Sequence, residues 1–115
     1  MNKSKRKKLR SVIMAIEKLG SIKNIDEAMK VLAEANDKVN DVEEEESFSY
    51  DNLPDNLTHS QLADDMSDNL LMLTEVQSDL ETVICYYNER GLEAHKDLTD
   101  EVSAIINNCS WIIER

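Results

Sequence analysis

The chain has 115 residues, with 24 acidic and 13 basic side chains and a formal net charge of −11. This length predicts one helical domain spanning residues 1–115, because domains commonly contain about 100–150 residues. Aromatic residues make up only 4% of the chain, with two glycines and one proline. That composition disfavours β-rich folds, which need turn residues between short strands.

The same composition excludes several kinds of functional site. The two glycines, Gly20 and Gly91, lie far apart and build no glycine-rich phosphate loop. Two cysteines and two histidines at these spacings assemble neither a disulfide framework nor a zinc site. We therefore predict no catalytic residue, no metal and no cofactor, and a protein that is not an enzyme. Without a long apolar run we also expect no membrane partner and a cytoplasmic location.

Charge is distributed very unevenly along the chain. Residues 1–10, the basic tip, carry six positive charges and no negative one. Between Val39 and Glu89 there are 14 acidic residues and neither lysine nor arginine. Such asymmetry is typical of proteins with a charged interaction surface.

The first helical region is predicted over residues 11–47, with its apolar face starting in the basic tip. Apolar residues recur there at helical spacings of three and four: Leu9, Val12, Ile13, Ile16 and Leu19, then Ala28, Val31, Leu32, Ala35, Val39 and Val42. Gly20 offers a break, and Asn24 with Glu27 resembles a capping box. The pattern is compatible with two helices or with one long helix.

A turn is predicted over residues 48–58, followed by a long second helix over residues 59–90. Pro54 disfavours helix at the residue before it. Thr58 is the predicted N-cap of the second helix, with Leu57 and Leu62 forming a hydrophobic staple. Gly91 is the predicted stop.

The second helix has a heptad pattern, which predicts coiled-coil-like packing against a neighbour. Its members are Leu62, Met66, Asn69, Leu73, Val76, Leu80, Val83 and Tyr87. A C-terminal helix over residues 97–114, capped by Asp97, repeats the spacing at Leu98, Val102, Ile105, Cys109 and Ile112. It or a second subunit is expected to cover Leu71, Met72, Cys85 and Tyr86. We predict an all-α fold: an antiparallel coiled-coil-like helical hairpin with an additional packed C-terminal helix, in a three- to four-helix bundle.

Two segments resemble a known group of proteins. The start KSKRKKL, the approach EEEESFSYDNLPDNL and the helix DDMSDNLLMLTEVQSDLETV are similar to small uncharacterised helical proteins of Gram-positive bacteria and their phages. These proteins combine a Lys/Arg-rich start with a DNLPxNL turn between acidic helices. The resemblance covers Lys5–Leu9 and Glu43–Val83 and implies a helical hairpin of phage type, with no implied catalysis.

Isolated histidines and cysteines are given structural interpretations. His59 and His95 lack a partner at metal-ligand spacing, and we expect both to be solvated surface side chains. Cys85 and Cys109 occupy helical core or interface positions, and we expect both to be buried.

The acidic middle is the predicted partner-binding surface. Its candidate residues are Glu43, Glu44, Glu45, Glu46, Asp64, Asp65, Asp68, Glu75 and Asp79. A row of carboxylates on a helix can occupy a basic groove built for nucleic acid, as an inhibitor or accessory protein of phage type would. The alternatives are a structural or regulatory adaptor, an oligomerising helical protein such as a homodimer, or weak nucleic-acid contact through Lys5, Arg6, Lys7 and Lys8. Nucleic acid is disfavoured because the net charge repels it.

Overall fold

The computed structural model describes all 115 residues and consists of four α-helices without a strand. They are α1 (Lys3–Lys18), α2 (Ile25–Asp51), α3 (Gln61–Arg90) and α4 (Thr99–Glu114). Short 3-10 segments lie at Leu19–Ser21, Asp55–Leu57 and Gly91–Asp97. The prediction of an all-α bundle is confirmed, with four helices.

Each helix packs against two others, in the cyclic order α1, α2, α3, α4. Neighbours are antiparallel: Lys8 on α1 bonds Glu45 on α2, whereas Ser11, further along α1, bonds the earlier Lys38. The molecule measures 51 × 22 × 22 Å. At 1.5 Å per residue, the 30-residue α3 is about 45 Å long and spans most of the long axis.

The core is aliphatic and follows the predicted helical spacing. Leu73 and its heptad successors on α3 are fully buried, as are Leu98, just before α4, and Ile105, Cys109 and Ile112 on α4. Tyr87 is the one aromatic side chain in this core. Val31 and Val102, predicted for the same faces, are only half-buried.

The structure places a break at Gly20, so the first helical region is two helices. The 3-10 turn at Leu19–Ser21 ends α1, and Asn24 then caps α2. The Oδ1 atom of Asn24 accepts hydrogen bonds from the backbone N–H groups of Asp26 and Glu27, at 2.8 and 3.1 Å. These bonds satisfy two donors that have no partner within the helix.

Gly20 also allows a close approach between the two loops at this end of the bundle. A Cβ atom at Gly20 would lie 3.0 Å from Nε2 of His95. On the other side of its ring, His95 Nδ1 is hydrogen-bonded to the hydroxyl of Tyr87, at 2.7 Å. The expectation that His95 is a solvated surface residue is wrong, because the buried hydroxyl of Tyr87 needs this partner.

The start of α3 differs from the prediction. The N-cap is Ser60, whose hydroxyl accepts a hydrogen bond from the backbone N–H of Ala63 at 3.2 Å. The Thr58 hydroxyl instead donates to the backbone carbonyl of Asp55. With the cap shifted, Leu62 lies outside the core and its predicted staple is wrong. The preceding turn is also shorter than predicted, because α2 continues to Asp51.

Two further predictions, about the outer surface of α3 and about the cap of α4, are wrong. Leu71, Cys85 and Tyr86 remain exposed, and of the four residues expected to be covered only Met72 packs against the core. Asp97 does not cap α4, since its carboxylate accepts a hydrogen bond from the Arg90 guanidinium. That ion pair holds the pKa of Asp97 below its ordinary value.

Candidate interaction surface

Three polar side chains from three helices meet in the interior. Lys5 Nζ on α1 donates to Glu46 Oε1 on α2 at 3.0 Å, and Asn69 Nδ2 on α3 donates to Glu46 Oε2 at 2.9 Å. Their residues are only 5%, 1% and 4% exposed. We call these three residues the buried polar layer. The expectation that Glu46 and Lys5 belong to accessible contact surfaces is therefore wrong.

Helical spacing contains the signal for this layer. On α2, Val42 follows Val39 by three residues and Glu46 follows Val42 by four, so Glu46 continues the buried row. Lys5 and Asn69 each precede a buried leucine by four residues. Burial on a helix is set by position more than by residue type when the charge finds a partner. Of the four consecutive glutamates predicted to form one binding surface, Glu46 is the one that falls in the buried register of α2.

The rest of the glutamate run is partly neutralised from within the chain. Glu45 accepts a hydrogen bond from Lys8 at 2.8 Å, and this bond raises the pKa of the Lys8 ammonium. Glu43 accepts a hydrogen bond from the Ser47 hydroxyl. Glu44 points to solvent and forms no salt bridge.

Most candidate acids on α3 lie beside α4. Asp65 and Asp68 form salt bridges with Arg115, whose guanidinium lies 4.3 Å from the ring centre of Trp111. Glu75 accepts a hydrogen bond from Asn108 at 3.3 Å. These side chains remain partly accessible, but their charge is already engaged by the neighbouring helix. Asp64, in the first turn of α3, is exposed.

Asp79 lies in an unfavourable electrostatic environment on the same side of α3. Partial burial raises the pKa of its carboxyl group, and the negative charges of Glu101 and Glu75 raise it further. Atom Oε2 of Glu101 is buried without a hydrogen-bond partner. These carboxylates therefore repel one another across the α3–α4 interface.

The most exposed row of acids lies on α2 and was missed by the sequence analysis except at its last member. Glu34, Asp37, Asp41 and Glu44 follow one another at spacings of three, four and three, and all four are exposed. We call this row the α2 ridge. It lies opposite the buried face of α2, and none of its members forms a salt bridge. The spacing alone, offset from that of the buried valines, was sufficient to predict it.

A cluster of exposed positive charge lies on α1. Lys3, Lys7 and Arg10 form the solvent side of this helix and take part in no salt bridge. We call them the α1 face. Of the four predicted basic contact residues, Lys5 is buried, Arg6 is half-buried and Lys8 is paired with Glu45. Only Lys7 is both fully exposed and unpaired.

Comparison with known proteins adds no relative: no protein family, no curated protein and no solved structure matches this chain. None of its helices combines the length and apolar character required to cross a membrane. No group of three or more His, Cys, Asp or Glu side chains is arranged to hold a metal ion.

Proposed function

We propose that this protein is a non-enzymatic interaction module whose α2 ridge binds a basic, nucleic-acid-binding groove of another protein. The observation that carries the proposal is the ridge itself, four exposed carboxylates in one row, none of which forms a salt bridge within the chain. Elsewhere the chain does supply counter-ions, as for Glu45, Asp65 and Asp68. A row left unpaired in this way is suited to a partner that brings its own cations.

Charge spacing supports a groove that normally holds nucleic acid. Neighbours on the ridge are three or four residues apart, which corresponds to about 4.5–6 Å along the helix axis. Duplex DNA presents one charge per roughly 3.4 Å along each strand, so the ridge is a sparser but still linear row of charge. The net charge of −11 adds long-range attraction to a basic surface and speeds association.

The biological role that fits this chemistry is that of an inhibitor or accessory protein. A protein that fills such a groove excludes nucleic acid from it. The resemblance to small phage-type proteins points in the same direction. A structural or regulatory adaptor is the alternative, and it differs in a measurable way: nucleic acid would not compete with an adaptor for its partner.

The test compares two variants of equal net charge in a retention experiment. The ridge variant carries Glu34→Gln, Asp37→Asn and Asp41→Asn. The control variant carries Glu81→Gln, Glu89→Gln and Glu93→Gln, which are exposed and unpaired but lie outside the ridge. Immobilised wild type and both variants are exposed to the lysate of a Gram-positive bacterium, and retained proteins are identified by mass spectrometry.

We expect a partner that wild type and the control variant retain, that the ridge variant loses, and that duplex DNA displaces. A partner that the ridge variant retains as well as wild type does, and that duplex DNA does not displace, would contradict the proposal. A third variant with Lys3→Gln, Lys7→Gln and Arg10→Gln tests the α1 face without disturbing buried Lys5. If retention depends on that face alone, the basic side contacts nucleic acid or an acidic protein instead.

A further inference from the structure

Phe48 is the chain's only phenylalanine, and it is 70% exposed at the end of the α2 ridge. It follows Glu44 by four residues, so its ring and the Glu44 carboxylate lie on the same side of the helix. Burial of a phenylalanine is among the larger stabilising contributions available to a small domain. The fold leaves this ring exposed to water, whereas the Tyr87 ring is buried in the core.

The Phe48 ring borders a concave surface. A cavity of about 490 Å³ lies between the first turn of α1 and the last turns of α2, lined by Asn2, Lys5, Glu44, Glu45, Phe48 and Ser49. Two of its charges are compensated, since Lys5 is bonded to Glu46 and Glu45 to Lys8. Glu44 is the charge that remains, because the positive end of the α1 dipole and the negative end of the α2 dipole both border the cavity and offset each other. The cavity therefore favours a cation.

Two of the three other exposed aromatic rings lie beside a guanidinium, whereas Tyr50, like Phe48, does not. Trp111 is covered by the Arg115 guanidinium, which is also bonded to Asp65 and Asp68. Tyr86 lies 6.0 Å from the Arg90 guanidinium, which is bonded to Asp97. Both sites combine an aromatic face, a guanidinium and a carboxylate.

At the cavity beside Phe48, the chain supplies the aromatic ring and the Glu44 carboxylate but no guanidinium. In the two covered sites the arginine follows the ring by four residues, whereas Asn52 occupies that position after Phe48. Guanidinium groups stack on aromatic faces and bond carboxylates at the same time, while a lysine ammonium is a compact, strongly hydrated point charge.

We infer that the cavity beside Phe48 receives an arginine side chain of the partner, with its guanidinium over the Phe48 ring and bonded to Glu44. The inference rests on the proposed function and deepens it, because it names the residue type that the α2 ridge requires of its partner. The ridge supplies long-range attraction for any basic surface. The Phe48 cavity supplies selectivity for arginine.

The test uses two peptides of equal charge, nonaarginine and nonalysine, whose dissociation constants are measured by calorimetry at physiological salt. We expect wild type to prefer nonaarginine. In the Phe48→Leu variant, the ratio of the nonalysine to the nonaarginine dissociation constant is expected to fall about two- to five-fold, the range of an exposed cation–π contact. The affinity of this variant for nonalysine should change less, because a strongly hydrated ammonium gains less from the ring. Leu71→Ala removes another exposed apolar side chain, on α3, and should leave both affinities as in wild type.

The outcomes separate this inference from the proposed function. The ridge variant should weaken both peptides and keep the arginine preference, because it removes charge without touching Phe48. A preference that survives Phe48→Leu, or a variant that weakens both peptides equally, would overturn the inference while leaving the ridge proposal standing. Failure to retain any DNA-displaceable partner from lysate would overturn the proposed function, whatever the peptides show.

Discussion

Lys5 Nζ and Glu46 Oε1 lie 3.0 Å apart inside the bundle, joining the first turns of α1 to the last turns of α2. Each helix end is unfavourable by itself, because cations near a helix N-terminus and anions near a C-terminus oppose the helix dipole. Antiparallel packing brings the two ends together, so that the Lys5 ammonium and the Glu46 carboxylate attract each other and offset these two unfavourable interactions. Lys8 and Glu45 repeat the contact one turn further along α1, at the surface. This pairing favours one register between α1 and α2.

Breaking the buried pair should cost far more than breaking the surface pair. Lys5→Met leaves Glu46 as a buried charge with only Asn69 as donor, and we expect a loss of about 3–5 kcal/mol in the free energy of unfolding. Lys8→Met removes the half-exposed neighbour and should cost at most about 1 kcal/mol. Urea unfolding of both variants measures the difference. Equal losses would mean that Glu46 is solvated.

The double variant Lys5→Met with Glu46→Leu should be more stable than Lys5→Met alone. It removes both charges together and replaces them with apolar groups, so no unpaired carboxylate remains. The third member of the layer, Asn69, then loses its acceptor and limits the recovery. If the two single losses simply add, the interaction between Lys5 and Glu46 contributes nothing to stability.

The N-cap of α3 can be assigned by paired alanine substitutions. Ser60→Ala removes the acceptor for the Ala63 backbone N–H and should cost about 0.5–2 kcal/mol. Thr58→Ala removes only an exposed hydroxyl that donates to Asp55 and should be close to neutral. Thermal unfolding of the two variants measures both effects. The reverse order would restore Thr58 as the cap.

Apolar spacing was enough to predict most of the core, because burial on a helix repeats every three or four residues. Leu9, Leu32, Leu73 and Ile105 are all buried where that spacing placed them. Helix ends were harder. Ser60 and Thr58 are both good caps, and the choice between them depends on how the turn packs, which no local pattern contains.

The electrostatic surface was predictable only in part, because charge counts do not say which side of a helix a residue occupies. Asp65 and Asp68 belong to the predicted binding surface, but Arg115, which forms salt bridges with both, is 47 residues beyond Asp68 in sequence. The Tyr87–His95 bond joins α3 to the loop before α4 and likewise depends on tertiary packing. Glu34 and Asp37 lie in a segment that also contains Lys30 and Lys38, so its charge count gives no sign of an exposed acidic row.

The two thiols should differ in reactivity. Burial raises the pKa of Cys109 to about 12, whereas Cys85 is exposed on α3. Since the thiolate is the reactive form, a thiol reagent at mildly alkaline pH should modify Cys85 rapidly and Cys109 only after unfolding in denaturant. A Cys85→Ser variant is the control, and it should show no rapid phase. Rapid labelling of that variant would place Cys109 at the surface.

Asp79 should make stability depend on pH in the opposite sense to an ordinary paired carboxylate. Its pKa in the folded protein is raised above its ordinary value of 3.8, first by burial and then by Glu101 and Glu75. The protonated form is thus favoured by folding, and this contribution is lost as pH rises through the raised pKa. Asp79→Asn should therefore raise the melting temperature at neutral pH.

That gain should shrink as the pH falls toward and below 3.8, where the wild-type carboxyl is protonated as well. Asp37→Asn is the matched control, because it removes the same charge from an exposed position on α2 and reports the general relief of repulsion in an acidic protein. Combining Asp79→Asn with Glu101→Gln should give less than the sum of the two gains, since either change relieves the same repulsion. Equal effects of Asp79→Asn and Asp37→Asn at every pH would show that Asp79 is fully solvated and that the α3–α4 interface carries no local charge conflict.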